Sequence, residues 1–219
     1  MTKTHDERLA QFNSAGLYLV SSASVSAGRP TLDILHAALD AGVSLIQLRE
    51  KELAPQEYFV LAEKARLLTL RYGALLLLND HLDAALAVDA DGVHLGQDDF
   101  PVQAARKIAP NLLIGASIHS ISEAIQAQGD GASYVNVGPL FPTQTKAWAG
   151  EFLGWEGLES IIPHLRIPFS VMGGIKPAQI PGLVQRGVRV IALVSAVTAA
   201  PDPAAAARDL LRIIGIGFH

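Results

Sequence analysis

Cysteine is absent from all 219 residues, which excludes disulfides, thiolate metal sites and a cysteine nucleophile, and fits a reducing compartment. An excess of basic charge is missing too: with a formal net charge of −4 there is no general attraction to nucleic acid or to an anionic membrane, so any phosphate site has to be local. Long apolar runs are lacking, since uninterrupted stretches such as Ala74 to Leu78 fall far short of the roughly 20 residues that span a bilayer. The opening MTKTHDERLAQFN has no apolar core of the kind a signal peptide carries, and a cytoplasmic location is expected. No linker or low-complexity tract divides the chain.

What is present is apolar residue in quantity, half of the total, enough for a sizeable core in one globular unit. Short β-rich runs alternate with amphipathic segments. The runs predict strands at 16–21, 44–50, 74–79, 92–96, 112–117, 134–138, 168–173 and 189–194. Helices are predicted near 31–41, 55–71, 81–88, 101–109, 120–128, 155–165, 177–186 and 203–214. In the second of these, Pro55 suits a first turn, Tyr58, Leu61, Ala62, Ala65 and Leu68 form one stripe, and Gly73 ends the helix. Runs such as Leu75 to Leu78 are apolar on both faces, as in a parallel sheet covered on both sides. Strict alternation leaves a closed barrel or an open doubly wound sheet, and eight units favour a single (β/α)8 TIM barrel over 16–214, with tails at 1–15 and 215–219.

In such a barrel the chemistry sits at the C-terminal ends of the strands. The second strand ends in Gln47, Arg49 and Lys51 on one side of the chain, donors that suit an oligophosphate. Asn79 and Asp80 end the third strand, and Asp98 and Asp99 follow the fourth; hard oxygen donors beside phosphate point to Mg²⁺. Singly, each acid reads as a helix cap or solvated side chain. Ser117 follows on the fifth strand, and Thr143, Thr145 and Lys146 lie on a loop after the sixth. His94 and His119 are expected to pack or cap. Gly173 and Gly174 after the seventh strand, with Val194 and Ser195 after the eighth, suit a phosphate monoester. Two anionic subsites imply two phosphorylated substrates, and no nucleophile with its base stands out, which leaves leaving-group stabilisation as the main catalytic device.

The ordered set QLREK at 47–51, ND at 79–80, DGVHLGQDD at 91–99, GASIH at 115–119, GPLFPTQTK at 138–146, GGI at 173–175 and VSA at 194–196 resembles the thiamine-phosphate synthase family over roughly 16–214. The resemblance implies a Mg²⁺-dependent, dissociative condensation of 4-amino-5-hydroxymethyl-2-methylpyrimidine diphosphate with a thiazole phosphate, giving thiamine phosphate and pyrophosphate. On matching positions, Gln47, Arg49, Lys51, Asn79, Ser117 and Lys146 would hold the pyrimidine diphosphate, with Arg49, Ser117 and Lys146 as catalytic groups. Asp80 and Asp99 would hold Mg²⁺; Thr143, Thr145, Gly174, Val194 and Ser195 would hold the thiazole phosphate. Ser133 departs from the family pattern, standing where an acid is expected before the sixth strand, and residues 147–152 form an unusually apolar loop. Two other readings are a thiazole tautomerase of the same superfamily, with a proton-moving residue such as His119, and a catalytically silent barrel that binds thiazole phosphate to regulate a partner. Neither the form of the thiazole nor self-association as a homo-oligomer follows from the residues.

Overall fold

A computed structural model gives the fold and describes residues 3–143 and 150–215. Eight parallel strands close into a barrel in sequence order: β1 (Leu17–Val20), β2 (Leu45–Leu48), β3 (Leu75–Asn79), β4 (Gly92–Leu95), β5 (Leu113–Ile118), β6 (Tyr134–Val137), β7 (Phe169–Val171) and β8 (Val190–Leu193). The ring is sealed by the pairing of β1 with β8, with Tyr18 opposite Ala192. The open-sheet alternative is thereby removed, because closure leaves no edge strand. Among the described residues no helix is long and apolar enough to cross a membrane.

Outside the ring lie α2 (Thr31–Asp40), α3 (Pro55–Arg71), α4 (Leu82–Ala87), α5 (Val102–Ile108), α6 (Ile121–Gly129), α7 (Gly154–Ile161), α8 (Ile180–Gln185) and α10 (Pro203–Ile214), with α9 (Ser195–Thr198) as one extra turn after β8. The expected helix at 155–165 breaks into α7 and a tighter turn over Ile162–His164, because Pro163 cannot continue the hydrogen-bond ladder. Likewise 177–186 begins as a tight turn, Pro177–Gln179, before α8. Gly215 caps α10 in the left-handed region, and 216–219 lie outside the described residues.

Period-two alternation along each strand divides the core in two. Leu17, Leu19, Ile46, Leu48, Leu76 and Leu78 face outward and pack under helices that present Leu35, Ala62, Leu158 and Leu211. Tyr18, Leu45, Leu75, Leu77, Leu113, Tyr134 and Val190 face inward and fill the barrel. This is why the strands read as continuously apolar: both faces are covered.

Within the expected tail at 1–15, the described residues 3–15 are packed against the barrel. His5–Ser14 form α1, whose N-terminus is closed by a capping box: the Glu7 amide donates to Thr4 Oγ1 (3.3 Å), and the Thr4 amide donates to Glu7 Oε2 (2.7 Å). Phe12 is fully buried beneath the barrel, its ring 4.2 Å from that of Tyr134 and 6.1 Å, edge-on, from that of Tyr18. The helix is fastened by charge as well. Buried Arg8 donates through Nε to Asp91 Oδ1 (3.2 Å), while Arg66 of α3 and the Leu76 amide of β3 donate to Asp91 Oδ2 (2.8 and 3.0 Å). Ser133 is likewise structural. Its hydroxyl oxygen receives the Ile114 amide (3.0 Å) and Arg106 Nη2 (2.7 Å), and it lies 3.0 Å from His5 Nε2. An acid is therefore not required at 133 for the site.

Asp91 joins α1, α3 and β3 in one buried ion cluster, so Asp91→Ala leaves two desolvated guanidinium groups without their counter-ion. A loss on the order of 3–5 kcal/mol in unfolding free energy is expected, read as a lowered urea midpoint. A loss below about 1 kcal/mol would show that the cluster is not a structural tie.

Candidate active site

The mouth at the strand C-termini is organised first by Glu50, which sequence reasoning passed over inside QLREK. Its buried carboxylate receives hydrogen bonds from Ser21 Oγ (2.8 Å), Thr31 Oγ1 (2.8 Å) and the Ala23 amide (2.7 Å). Ser21 Oγ in turn accepts from the Arg49 amide (2.9 Å). The loop after β1, the start of α2 and the end of β2 are thus tied together, which fixes where the chain carrying Arg49 and Lys51 leaves the barrel.

Lys51 then meets the end of β3, its Nζ lying 3.2 Å from Asp80 Oδ2. Asp80 occupies the left-handed region at φ 65°, a conformation that Asp tolerates better than most side chains, and its amide donates to His94 O (2.8 Å). This backbone turns its carboxyl toward that of Asp99. Asp99 is itself seated by the Gly96 amide, which donates to Oδ2 (2.7 Å). Burial, then the Asp99 carboxylate, raises the Asp80 carboxyl above its ordinary range. For Asp99, burial acts upward but is outweighed by the Asp80 carboxyl, the Gly96 amide and the charge of Lys51, which together hold it below its usual value. The two carboxyls are thus shifted in opposite directions, with Asp80 the more readily protonated of the pair. Two converging carboxylates could serve as donors to a hard divalent cation; among the described residues no group of three or more ligand-type side chains assembles.

Below this rim runs a polar layer across the barrel interior. Gln47 Nε2 donates to Tyr18 Oη (2.5 Å), the Tyr18 and Tyr134 hydroxyls lie 2.9 Å apart, Tyr134 Oη is 2.9 Å from His94 Nδ1, and His94 Nε2 is 2.9 Å from Ser117 Oγ. Gly115 makes room for it, since a Cβ there would overlap the Tyr134 phenol. Burial pushes the His94 imidazole down to about 4, so it is neutral near pH 7. His94 packs, as expected, but it also binds Ser117. His119 is bound locally, with Nδ1 2.9 Å from Glu123 Oε2.

The opposite side of the mouth is built from backbone. The loop after β6 folds over the end of β7, with the Leu140 amide donating to Met172 O (2.9 Å) and the Phe141 amide to Gly173 O (3.0 Å). Gly174, at φ 61°, lies so close beneath this loop that a Cβ would collide with the Phe141 and Pro142 carbonyls. Across from it, Val194 and the exposed Ser195 open α9 at the end of β8. The amide of Gly174 has no hydrogen-bond acceptor among the described residues. Because α9 is a single turn, its first amides matter here more than any dipole summed over a long helix.

The sequence-predicted groups therefore divide. Lys51, Asp80 and Asp99 converge at the rim; Gln47 and Ser117 are joined one layer below it; Asn79 is buried at the end of β3, opposite His94 in the strand register. Gly174, Val194 and Ser195 lie on the β7–β8 side, and Thr143 is half-buried on the β6 loop. Thr145 and Lys146 lie outside the described residues. Glu50, Tyr18 and Tyr134 were missed, although inward-facing tyrosines on apolar strands are a signal, because a buried phenol needs a partner.

A closed barrel that presents a lysine, paired carboxylates and open amides at its C-terminal rim belongs with the (β/α)8 proteins that suit phosphorylated small molecules. Comparison with known proteins narrows this. The model of a family described as thiamine monophosphate synthase matches residues 17–197. The thiamine-phosphate synthase of Chloroflexus aurantiacus is 45% identical over 200 residues, covering 91% of this chain and 93% of the relative. That of Pyrococcus furiosus is 39% identical over 202 residues, covering 92% and 96%. The solved thiamine phosphate pyrophosphorylase from Pyrococcus furiosus superposes with a TM-score of 0.84 at 38% identity, over 92% of this chain and 96% of that one. The chain belongs to the thiamine monophosphate synthase family. A 3-hexulose-6-phosphate synthase, at 22% identity and a TM-score of 0.68, shares the fold alone.

Glu50→Gln tests the clamp. The amide nitrogen cannot accept, so either the Ala23 amide loses its acceptor or the Ser21 and Thr31 hydroxyls must turn to accept, and the charge that strengthened all three hydrogen bonds is gone. A loss of about 1–3 kcal/mol, or roughly 2–4 °C per kcal/mol for a chain of this size, is expected in thermal unfolding. An unchanged midpoint would remove Glu50 from the site's framework.

Proposed function

We propose that this chain is a thiamine-phosphate synthase that joins 4-amino-5-hydroxymethyl-2-methylpyrimidine diphosphate to a thiazole phosphate with release of pyrophosphate. The observation that carries the reading is the convergence of Lys51, Asp80 and Asp99 from three strand ends, a diphosphate-and-cation site for which a thiazole tautomerase has no use. Family membership supports it independently.

Lys51 and Arg49, with Lys146 from the loop after β6, bind the diphosphate oxygens, and Ser117 adds a hydroxyl. Asp80 and Asp99 fit Mg²⁺: two hard carboxylates suffice when diphosphate oxygens and water complete the shell. Such an ion would neutralise charge on the diphosphate and on the departing pyrophosphate. Gln47 plays a different part from that expected of a phosphate donor. Its Nε2 is engaged by Tyr18, so the oxygen remains for the ligand, an acceptor suited to the exocyclic amine of the aminopyrimidine. Asn79 ends the neighbouring strand, two residues beyond Leu77, the register partner of Gln47. On the β7–β8 side, Gly174, Val194 and Ser195, with Thr143 and Thr145, bind the thiazole phosphate without a metal.

The reaction then needs neither a protein nucleophile nor a general base. The methylene C–O bond breaks with its electron pair going to pyrophosphate, and the thiazole nitrogen lone pair forms the new C–N bond. Cationic groups around the diphosphate lower the barrier as negative charge grows on the leaving oxygen.

Pyrophosphate release from the two purified substrates with Mg²⁺ tests the function; thiazole isomerisation without pyrophosphate would replace the synthase reading by the tautomerase. For the metal, Asp80→Asn or Asp99→Asn should leave the fold intact and raise the Mg²⁺ concentration for half-maximal activity roughly tenfold or more, since the amide keeps an oxygen and loses the charge. The double variant should be far less than additively worse, because both carboxylates serve one ion. An unchanged Mg²⁺ requirement in both single variants would overturn the assignment.

Ser195→Asp separates the two subsites. It should weaken thiazole phosphate binding on the order of 10²-fold, charge facing phosphate with no cation between, and leave pyrimidine diphosphate binding within a few-fold by calorimetry. Equal loss for both ligands would show one continuous site.

A further inference from the structure

The hydrogen bonds that cross the barrel interior have a direction. An amide N–H can only donate, so the bond from Gln47 Nε2 occupies a lone pair of the Tyr18 oxygen and leaves the Tyr18 proton to go onward. The next neighbour is the Tyr134 hydroxyl at 2.9 Å, which, accepting the hydrogen bond from Tyr18, turns its own proton toward His94 Nδ1, also at 2.9 Å. His94 Nδ1 must then be the unprotonated nitrogen of a neutral ring, and Nε2 carries the hydrogen, which goes to Ser117 Oγ at 2.9 Å. Each phenol has one proton and one place to put it. Asn136 is the register partner of Ser117 on β6, and its buried Oδ1 receives no hydrogen bond. Nothing within the described barrel interior takes the Ser117 proton.

We propose that Tyr18, Tyr134 and His94 are positioning residues that hold Ser117 as an obligate hydrogen-bond donor into the mouth, so that its proton meets substrate rather than the protein. The inference deepens the synthase reading and rests on it for the identity of that substrate, the pyrimidine diphosphate. The opposite direction, with the Gln47 oxygen accepting from Tyr18, would make His94 carry its hydrogen on Nδ1 and turn the Ser117 proton inward. A serine so arranged offers only lone pairs to an anion. The two directions therefore differ in one observable, the tautomer of one ring, and in one function, whether Ser117 can stabilise a leaving pyrophosphate. Neither phenol need touch the substrate for this to hold.

The tautomer is read from the ring ¹⁵N shifts of His94 in the labelled, ligand-free protein, assigned by their loss in His94→Gln. Hydrogen on Nε2 is expected; hydrogen on Nδ1, or on both nitrogens, overturns the proposal whatever the enzyme's activity. Function is read in a double-variant cycle on the condensation assay. Ser117→Ala should lower kcat on the order of 10²-fold, as when one donor to developing charge is lost. Tyr134→Phe frees His94 to take either tautomer and should lower kcat about tenfold with little change in the KM for thiazole phosphate, yet have no further effect in the Ser117→Ala background. Equal effects of Tyr134→Phe in both backgrounds would mean that the phenol only supports the fold and would sink the positioning role. If Tyr134→Phe does not fold, the ¹⁵N measurement on the wild type still decides. Absence of condensation by the wild type, with the expected tautomer present, would instead count against the synthase reading.

Discussion

The 2.9 Å contact between the Tyr18 and Tyr134 hydroxyls lies where the barrel changes from an apolar interior to a chemical one. Both rings belong below it, packed with Phe12 among Leu45, Leu75, Leu77 and Leu113, while both oxygens belong above it, in contact with Gln47 and His94. A closed parallel barrel forces this problem, because every second residue of every strand points into a space that water does not enter freely. Large side chains can fill it, but a buried phenol without a partner costs about 1–3 kcal/mol. Pairing the two phenols, and continuing the hydrogen bonds to the mouth, turns the filling of the core into the floor of the site. Gly115 is part of the same solution, because only the absence of a side chain there admits Tyr134.

Above that floor, local backbone geometry does what side-chain packing does below. Asp80 is turned toward Asp99 by its own left-handed backbone, Glu50 gathers three donors from the segment after β1 and the start of α2, and Gly174 lets one loop lie on another. These devices are set at the ends of strands, whose positions the apolar interior already determines. The rim can therefore be accurate without being rigid throughout.

The architecture was legible because its signal is repetition: eight apolar runs with eight intervening amphipathic segments, each run ending in polar residues. Observed strands begin and end within one or two residues of those predicted. The N-terminal helix was not legible because it has no wide apolar stripe; Phe12 and Arg8 bury themselves singly, and the Thr4–Glu7 capping box was the sign overlooked. At the site, the identity of Asp80 and Asp99 could be read, but their meeting depends on a positive φ that no pattern of hydrophobicity encodes. Gln47 was correctly placed on the inner face, but its bond to Tyr18 was not foreseen. Alternation tells which residues point inward; which of them touch across the barrel depends on the stagger of strands far apart in sequence, such as β1 and β6.

The backbone at Asp80 also narrows what this position can become. Asp, Asn and glycine enter the left-handed region at modest cost, whereas bulky and β-branched residues do so only as outliers. Drift at this residue is thus channelled along a short corridor, from a carboxylate that attracts cations to an amide or a bare backbone that does not, with the strand end and the turn after it unchanged. A lineage can change the charge of this rim in one step and keep the whole barrel, so descendants that share the fold and differ in what the rim holds are an accessible outcome of this architecture.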